Sequence, residues 1–513
     1  MFDLSRRTLL QGAGQAALGA VLAANLPGTQ GARAAEADFD IDKTFENFMA
    51  ELGSKPTDAG GAVVFTGRDP IVRSHFRIGA CMAVPAMAAA LGAAAIWRDR
   101  TGEGQDLSVD LRESVYNVMP IMKIVQRMGQ AAGLIAADDP VANSFTFMPT
   151  VNGLMIQVPL LDGNPLSFAM FETKDGRYVS PTGLYPHHLN GFLNVIGSPP
   201  NTESIAKKIK QWNAFDLDDA VAEAGMVMGV HRTREEWDQH PQGKYLAGVP
   251  LVEIVKVADS NPVPYDPDPT QPLSGIKTLA LTHVIAGTCA ARTLAEYGAQ
   301  VLHVARDQSV EHEGLVMDVN VGMRSTFMNL RNPDHKQALT ALLPEADVFI
   351  EGFRGRSMEK LGFGVDEVAT KNPGKIYLSV RCYGWEGPWW DRGGFDMEAL
   401  TVTGFTIAEG AGKTPRFPPT MVLNDYIAGY LGAAGVIAAL RRRAKEGGSY
   451  HVRISLAKAA LWFASLGSFD DVQFDATDAD HRMIEPRTIR GQTPYGELHR
   501  LAPQVVLSKT PGR

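Results

Sequence analysis

From residue 276 onward, short apolar runs alternate with stretches of helical character. Residues 276–281 read as a strand, 286–297 as a helix and 300–304 as a second strand. A helix over 334–343 and strands at 347–350 and 375–380 continue the series. This alternation predicts an α/β large domain built on a Rossmann-like, doubly wound parallel sheet. Ligands of such sheets sit beyond the C-terminal strand ends. His283, Arg306, residues 351–356 and Arg381-Cys382-Tyr383 fall there.

The half before that is patterned differently. Residues 79–97 are mostly apolar and approach the length of a membrane span. They are largely Ala and Gly with Pro85 inside, so each residue gains little by burial, and a buried helix is expected. Residues 171–179 form a hairpin with Asp175-Gly176 at its turn, and Thr233 followed by Glu236 marks a capped helix start. These signals predict a small α+β domain over 168–260. Asn261-Pro262-Val263-Pro264-Tyr265-Asp266-Pro267-Asp268-Pro269 has four prolines in nine residues, which predicts a stiff linker over 261–271. Residues before the linker are expected to fold apart from those after it. The large domain spans 272–475 and a tail spans 476–513.

One pattern occurs twice: an Ala-rich helix ending in arginines, a Gly turn and a short extended segment. The first copy passes through Arg98-Asp99-Arg100 and Gly102 to Leu107-Ser108-Val109-Asp110-Leu111. The second passes through Arg441-Arg442-Arg443 and Gly447-Gly448 to Val452-Arg453-Ile454-Ser455-Leu456. The arginines suit a helix C-terminus and Gly ends it. The shared order points to a duplicated unit, with 35–167 as an N-terminal helical partial repeat.

Composition adds limits. The 513 residues are 45% apolar and 21% charged, which predicts two soluble domains. A net charge of −8 and the lack of a basic–aromatic block argue against nucleic acid. An anionic substrate must therefore be held by local arginines. Cys81, Cys289 and Cys382 are too scattered for a disulfide framework or a metal site. Ser5-Arg6-Arg7-Thr8-Leu9-Leu10-Gln11, an apolar stretch through Leu26, and Ala32-Arg33-Ala34 follow the order of a twin-arginine export signal over 1–34. A disordered extension is the plainer reading.

Candidate chemistry centres on Trp390-Asp391-Arg392-Gly393-Gly394-Phe395-Asp396. Two glycines allow close backbone approach. Asp396 stands at the start of a helix over 397–403, whose amides and dipole are expected to keep it ionised, as an acyl-transfer nucleophile requires. Simple helix capping suits the same position. Arg306 could hold the ribose phosphate of CoA or of NADP, or be an exposed strand-end charge. Thr282-His283-Val284-Ile285-Ala286-Gly287 lacks G-x-G-x-x-G, which weakens the dinucleotide reading.

Over 272–456 the chain resembles the class III (CaiB/BaiF) CoA-transferases. The matching stretches are Pro272-Leu273-Ser274-Gly275-Ile276, Leu294-Ala295-Glu296-Tyr297-Gly298-Ala299, Ala346-Asp347-Val348, Leu361-Gly362-Phe363-Gly364, Gly387-Pro388 and Gly394-Phe395-Asp396. The N-terminal half resembles the later part of the same family, at Arg100-Thr101-Gly102-Glu103-Gly104-Gln105, Asp175-Gly176-Arg177 and Arg234-Glu235-Glu236-Trp237, and the tail resembles a family C-terminus. The whole reads as an incomplete tandem duplication.

The resemblance implies that Asp396 attacks an acyl-CoA thioester, with CoA moving to a carboxylic acid through aspartyl intermediates. It implies CoA contacts at Arg306, Phe353, Arg354, Lys360 and Arg381. It places His283 and Val284 on the loop over the acyl-CoA, with Gly393 and Gly394 as backbone support. CoA is then a substrate, with no tightly bound cofactor, no metal, no nucleic acid and no membrane partner. A homodimer acting in the cytoplasm is implied, with periplasmic export the alternative. The usual covering domain has no room in the 57 residues after Leu456 (513 − 456), so the N-terminal module is expected to close over Asp396. Several positions depart from the family: Gly352-Phe353-Arg354-Gly355-Arg356 replaces Asn-Phe-Arg-Pro-Gly, Ala305 replaces an acid, and Leu400 replaces a Gln. Racemases of the superfamily read Gly-His-Asp where Phe395 precedes Asp396, which favours a transferase. A racemase and a non-catalytic acyl-CoA-binding protein remain the alternatives.

Overall fold

A seven-stranded sheet organises the chain, with strands β1 (Glu253–Ala258), β2 (Lys277–Leu281), β3 (Gln300–Ala305), β4 (Arg324–Phe327), β5 (Val348–Glu351), β6 (Ile376–Arg381) and β7 (Ser449–Ser455). Their order is β4-β3-β2-β5-β6-β7-β1, parallel except for β1 at one edge. The computed structural model describes residues 39–117, 149–155, 164–306, 313–412, 414–420, 422–469 and 478–513. Residues 1–34, with the export-like motif, lie outside the described residues.

The strands are apolar on both faces because both are covered. Leu279, Leu281, Val304, Phe349 and Tyr377 pack with Leu339, Leu343 and Val368 on one side. Ala280, Ile350, Leu378 and Val452 belong to a second core that includes Ala290 and Leu431. Those two come from helices Ala286–Glu296 and Asn424–Glu446, which pack on each other. The chain is therefore α/β, with the doubly wound sheet expected from the alternation. Reversal of strand order between β2 and β5 opens a crevice at the C-terminal strand ends.

The expected separation at the proline-rich linker does not occur. β1 precedes the linker yet pairs antiparallel with β7 inside the large sheet. Helix Ile78–Thr101, buried from Ile78 to Ile96, packs along Asn424–Glu446 within the same core. The physical reason is that an Ala- and Gly-rich helix has no thick apolar face of its own. It gains burial by approaching another thin helix closely. A Cβ built on Gly92 would lie 2.7 Å from Ile437 Cγ2. The linker is itself strapped down, with Arg100 donating to the carbonyls of Asp266, Pro272 and Ser274.

The duplicated unit is visible in three dimensions. Strand Leu107–Asp110 follows its long helix as β7 follows Asn424–Glu446, and pairs parallel with Val63–Thr66 and antiparallel with Val505–Leu507. β7 likewise has parallel β6 on one side and antiparallel β1 on the other. The two long helices of the repeat face each other.

The α+β module is present between these parts. Strands Phe171–Glu172, Tyr178–Pro181 and Met228–Val230 form an antiparallel sheet, with Gly176 at φ 77° in the hairpin turn. Helices Pro186–Ile196, Thr202–Ile209 and Ala214–Glu223 cover it around Leu166, Phe192, Ile205 and Leu217. The capping box forms as expected: the Glu236 amide donates to Thr233 Oγ1 at 3.2 Å, and the Thr233 amide to the Glu236 carboxylate at 3.0 Å.

Gly92→Leu should force the two long helices apart and cost about 1–3 kcal/mol, the range for overpacking a core. A thermal scan followed by circular dichroism would show a single lowered midpoint. An unchanged midpoint would mean that the helices do not meet at Gly92.

Candidate functional site

A cavity of about 780 Å³ occupies the crevice. Its floor is made by residues at the ends of the strands: Thr282, His283 and Val284 after β2, Arg306 after β3, Gly352, Phe353 and Arg354 after β5, and Arg381 and Cys382 at β6. Its roof comes from the N-terminal half of the same chain, through Tyr185, His188, Met226 and Val227.

The roof is tied to the floor by polar contacts. Tyr185 Oη lies 2.9 Å from His283 Nδ1, Arg354 donates to the Gly225 carbonyl at 3.2 Å, and the Thr182 hydroxyl donates to Glu398 at 2.5 Å. Val284 holds φ 62°, the left-handed region that a β-branched residue rarely adopts. Strain of that kind persists where surrounding contacts impose it. Rings of His283 and Phe353 lie 5.3 Å apart, and Arg381 lies 5.3 Å over Trp385. Burial pushes the His283 and His188 imidazoles down to about 4, so both are neutral near pH 7. Burial also raises Glu351, whose carboxylate accepts from the Phe353 amide, to about 7.

Asp396 sits behind this wall and is 3% exposed. Its own helix, Asp396–Val402, is capped from within: Glu398 reaches back to accept from the Phe395 amide at 3.0 Å. Asp396 instead serves the next long helix. Its Oδ2 accepts from the amides of Leu423 at 3.1 Å and Asp425 at 2.8 Å, at the N-terminus of Asn424–Glu446. Oδ1 has no partner among the described residues. The expectation that helix amides keep Asp396 fully ionised needs correction. Burial outweighs them and lifts the carboxyl to about 6.

Gly393 and Gly394 line the cavity, where a side chain would clash at Gly394 and crowd its neighbours at Gly393. A Cβ on Gly394 would lie 2.5 Å from Cys382 Sγ, and one on Gly393 would lie 3.1 Å from Val227 Cγ2. Phe395 and Asp425 line the wall, whereas Asp396 does not reach it.

Residues 273–496 match the model of CoA-transferase family III. The acetyl-coenzyme A transferase nodX of Hypoxylon pulicicidum is 30% identical over 59% of this chain and 55% of its own length. The succinyl-CoA–L-malate CoA-transferase beta subunit of Chloroflexus aurantiacus is 34% identical over 37% of this chain and 51% of its own. Among solved structures, Rv3272 of Mycobacterium tuberculosis is 30% identical, covering 39% of this chain and 57% of that one, with a TM-score of 0.36. The chain thus spans about half the length of the curated relatives it matches.

Within the matched residues 273–496, the cavity brings together His283, Val284, Arg306, Phe353, Arg354, Arg381, Gly393 and Gly394. Lys360 is the exception. Ser357, Met358 and Leu361 of helix Ser357–Leu361 line the wall, and Lys360, on another side of that turn, is exposed. Sequence reading missed Arg331, Arg392, Asp425 and every roof residue. Arg392 also borders a second cavity of about 610 Å³ with Asp218, Arg232 and Trp389, where it pairs with Asp218.

The raised pKa of Asp396 has a stability consequence. Its folded value of about 6 lies above the ordinary 3.8, so folding favours the protonated form. That contribution is complete below about pH 4 and is lost as pH rises through about 6. Asp396→Asn, which cannot ionise, should gain in thermal midpoint relative to wild type between pH 4 and 7. Parallel midpoint–pH curves for the two proteins would contradict the burial argument.

Proposed function

We propose that the chain transfers CoA from an acyl-CoA thioester to a carboxylic acid, with Asp396 carrying the covalent intermediates. The observation that carries this reading is the pose of Asp396 beside the cavity: one oxygen fixed by two amides, the other unpartnered. Fixing one oxygen leaves the lone pairs of the second uncommitted, as a nucleophile requires.

In the first step an Asp396 oxygen bonds to the acyl carbon, and the C–S pair leaves with the CoA thiolate. The thiolate then attacks the aspartyl carbonyl of the anhydride and releases the first acid. The incoming carboxylate takes up the aspartyl-CoA thioester in the reverse order. Arg306, Arg331 and Arg354 lie along the wall and supply forked donors suited to the phosphates of CoA. His283 and Val284 lie over the acyl end. The roof excludes water, which would otherwise hydrolyse an anhydride. With Phe395 and not His before Asp396, the arrangement favours transfer over racemisation. Dependence on acyl-CoA favours action in the cytoplasm.

Two variants divide the roles. Asp396→Asn should abolish transfer and still bind CoA in calorimetry. Arg306→Ala should weaken CoA binding about 10- to 100-fold, the loss of roughly 1.5–3 kcal/mol expected for a charge-assisted contact. Retained turnover in Asp396→Asn would remove Asp396 from the chemistry, and unchanged affinity in Arg306→Ala would place that arginine outside the CoA site.

A further inference from the structure

Asp425 is the second residue of helix Asn424–Glu446 and lines the cavity that Asp396 only approaches. It is 5% exposed, and its carboxyl makes no hydrogen bond or ion pair among the described residues. Such a group is unusual, because buried carboxyls normally find donors. Its backbone amide, by contrast, is committed to Asp396 Oδ2.

Two carboxyl groups held together in a dry site do not both ionise. Hydrogen bonds decide which one does. Asp396 has the Leu423 and Asp425 amides to stabilise a charge, and the Asp425 carboxyl has none. The negative charge therefore settles on Asp396 and the proton on Asp425. Burial, together with Asp396 and Glu398, raises Asp425 well above the usual carboxylate range. Arg306, Arg331, Arg354, Arg381 and Arg392 are the cations of the cavity wall, which also carries His187 and the neutral imidazoles of His188 and His283. None of them pairs with Asp425.

We propose that Asp425, as a neutral acid, donates a hydrogen bond to the thioester carbonyl oxygen when Asp396 attacks. This rests on the CoA-transfer reading and adds a second catalytic residue to it. As the Asp396 oxygen bonds to the acyl carbon, the carbonyl pair moves onto oxygen, where the Asp425 proton meets it. That pair returns as the C–S bond breaks and the thiolate leaves, so the proton stays on Asp425 throughout. A neutral donor fixed in a water-poor site stabilises developing charge at little reorganisation cost.

The test uses the full chain, with acetyl-CoA, succinyl-CoA and a long-chain acyl-CoA as donors. Asp425→Ala should fold, since it removes a buried group with no partner, and should lose about 10²–10³-fold in kcat with KM little changed. Asp425→Asn keeps an N–H donor, so it should lose less than about tenfold. Its acid limb should stay in place, because Asp425 is already neutral where Asp396 ionises. Wild-type kcat in Asp425→Ala, or equal losses in the two variants, would overturn the proposal. An acid limb moved to lower pH in Asp425→Asn would do so even if the alanine variant failed to fold, because it would mean that Asp425 is charged while Asp396 titrates. Independently of turnover, the infrared difference between wild type and Asp425→Asn at pH 7 should show a lost protonated-carboxyl band. A lost carboxylate band instead would contradict the assignment. A wild type that transfers no CoA from any donor would sink the transfer reading first, and is recognised before any variant is made.

Discussion

The structure depends on the close packing of two thin helices, Ile78–Thr101 and Asn424–Glu446. Ile78–Thr101 is built largely of small residues, so its burial relies on close approach to its partner, as where Gly92 receives Ile437 of Asn424–Glu446. This contact joins the N-terminal half to the sheet in one core. It also fixes the start of Asn424–Glu446, and with it the amides of Leu423 and Asp425 that hold Asp396. The Asp396 carboxyl is positioned by a helix that begins 28 residues after it (424 − 396).

A second set of contacts links the α+β module to the same point. Thr182 on Glu398, Tyr185 on His283 and Arg354 on Gly225 are polar ties spread around the cavity. They seat a roof on a site otherwise open at the strand ends. Glu398, raised to about 7 by burial, takes part both in this seal and in the cap of the Asp396 helix. Roof, Asp396 and floor are therefore mechanically coupled within one chain.

Much of this was legible in the sequence. Alternating strand and helix signals located β2, β3, β5 and β6, and the positions just after them became the cavity floor. The repeated helix–turn–strand pattern anticipated two long helices each followed by a strand, but not that the helices pack on each other. Domain separation was misjudged because a proline-rich linker signals local stiffness, and β1 pairs across it through backbone bonds that leave no residue signature. Asp396 was found from its glycines, but its partners lie on another helix, and burial at that depth is a tertiary property. Lys360 does not line the cavity, because only one side of the short helix Ser357–Leu361 faces it. Asn424-Asp425 at the head of an Ala-rich helix was a visible signal for Asp425 that went unread.

The central claim is that the covalent intermediate forms on Asp396. The direct measurement is peptide mass spectrometry on wild-type protein quenched with acid during turnover of an acyl-CoA donor. The account predicts that the peptide containing Asp396 carries the added mass of the acyl group or of CoA. Turnover with that peptide unmodified, or with the adduct on a different side chain, would contradict it.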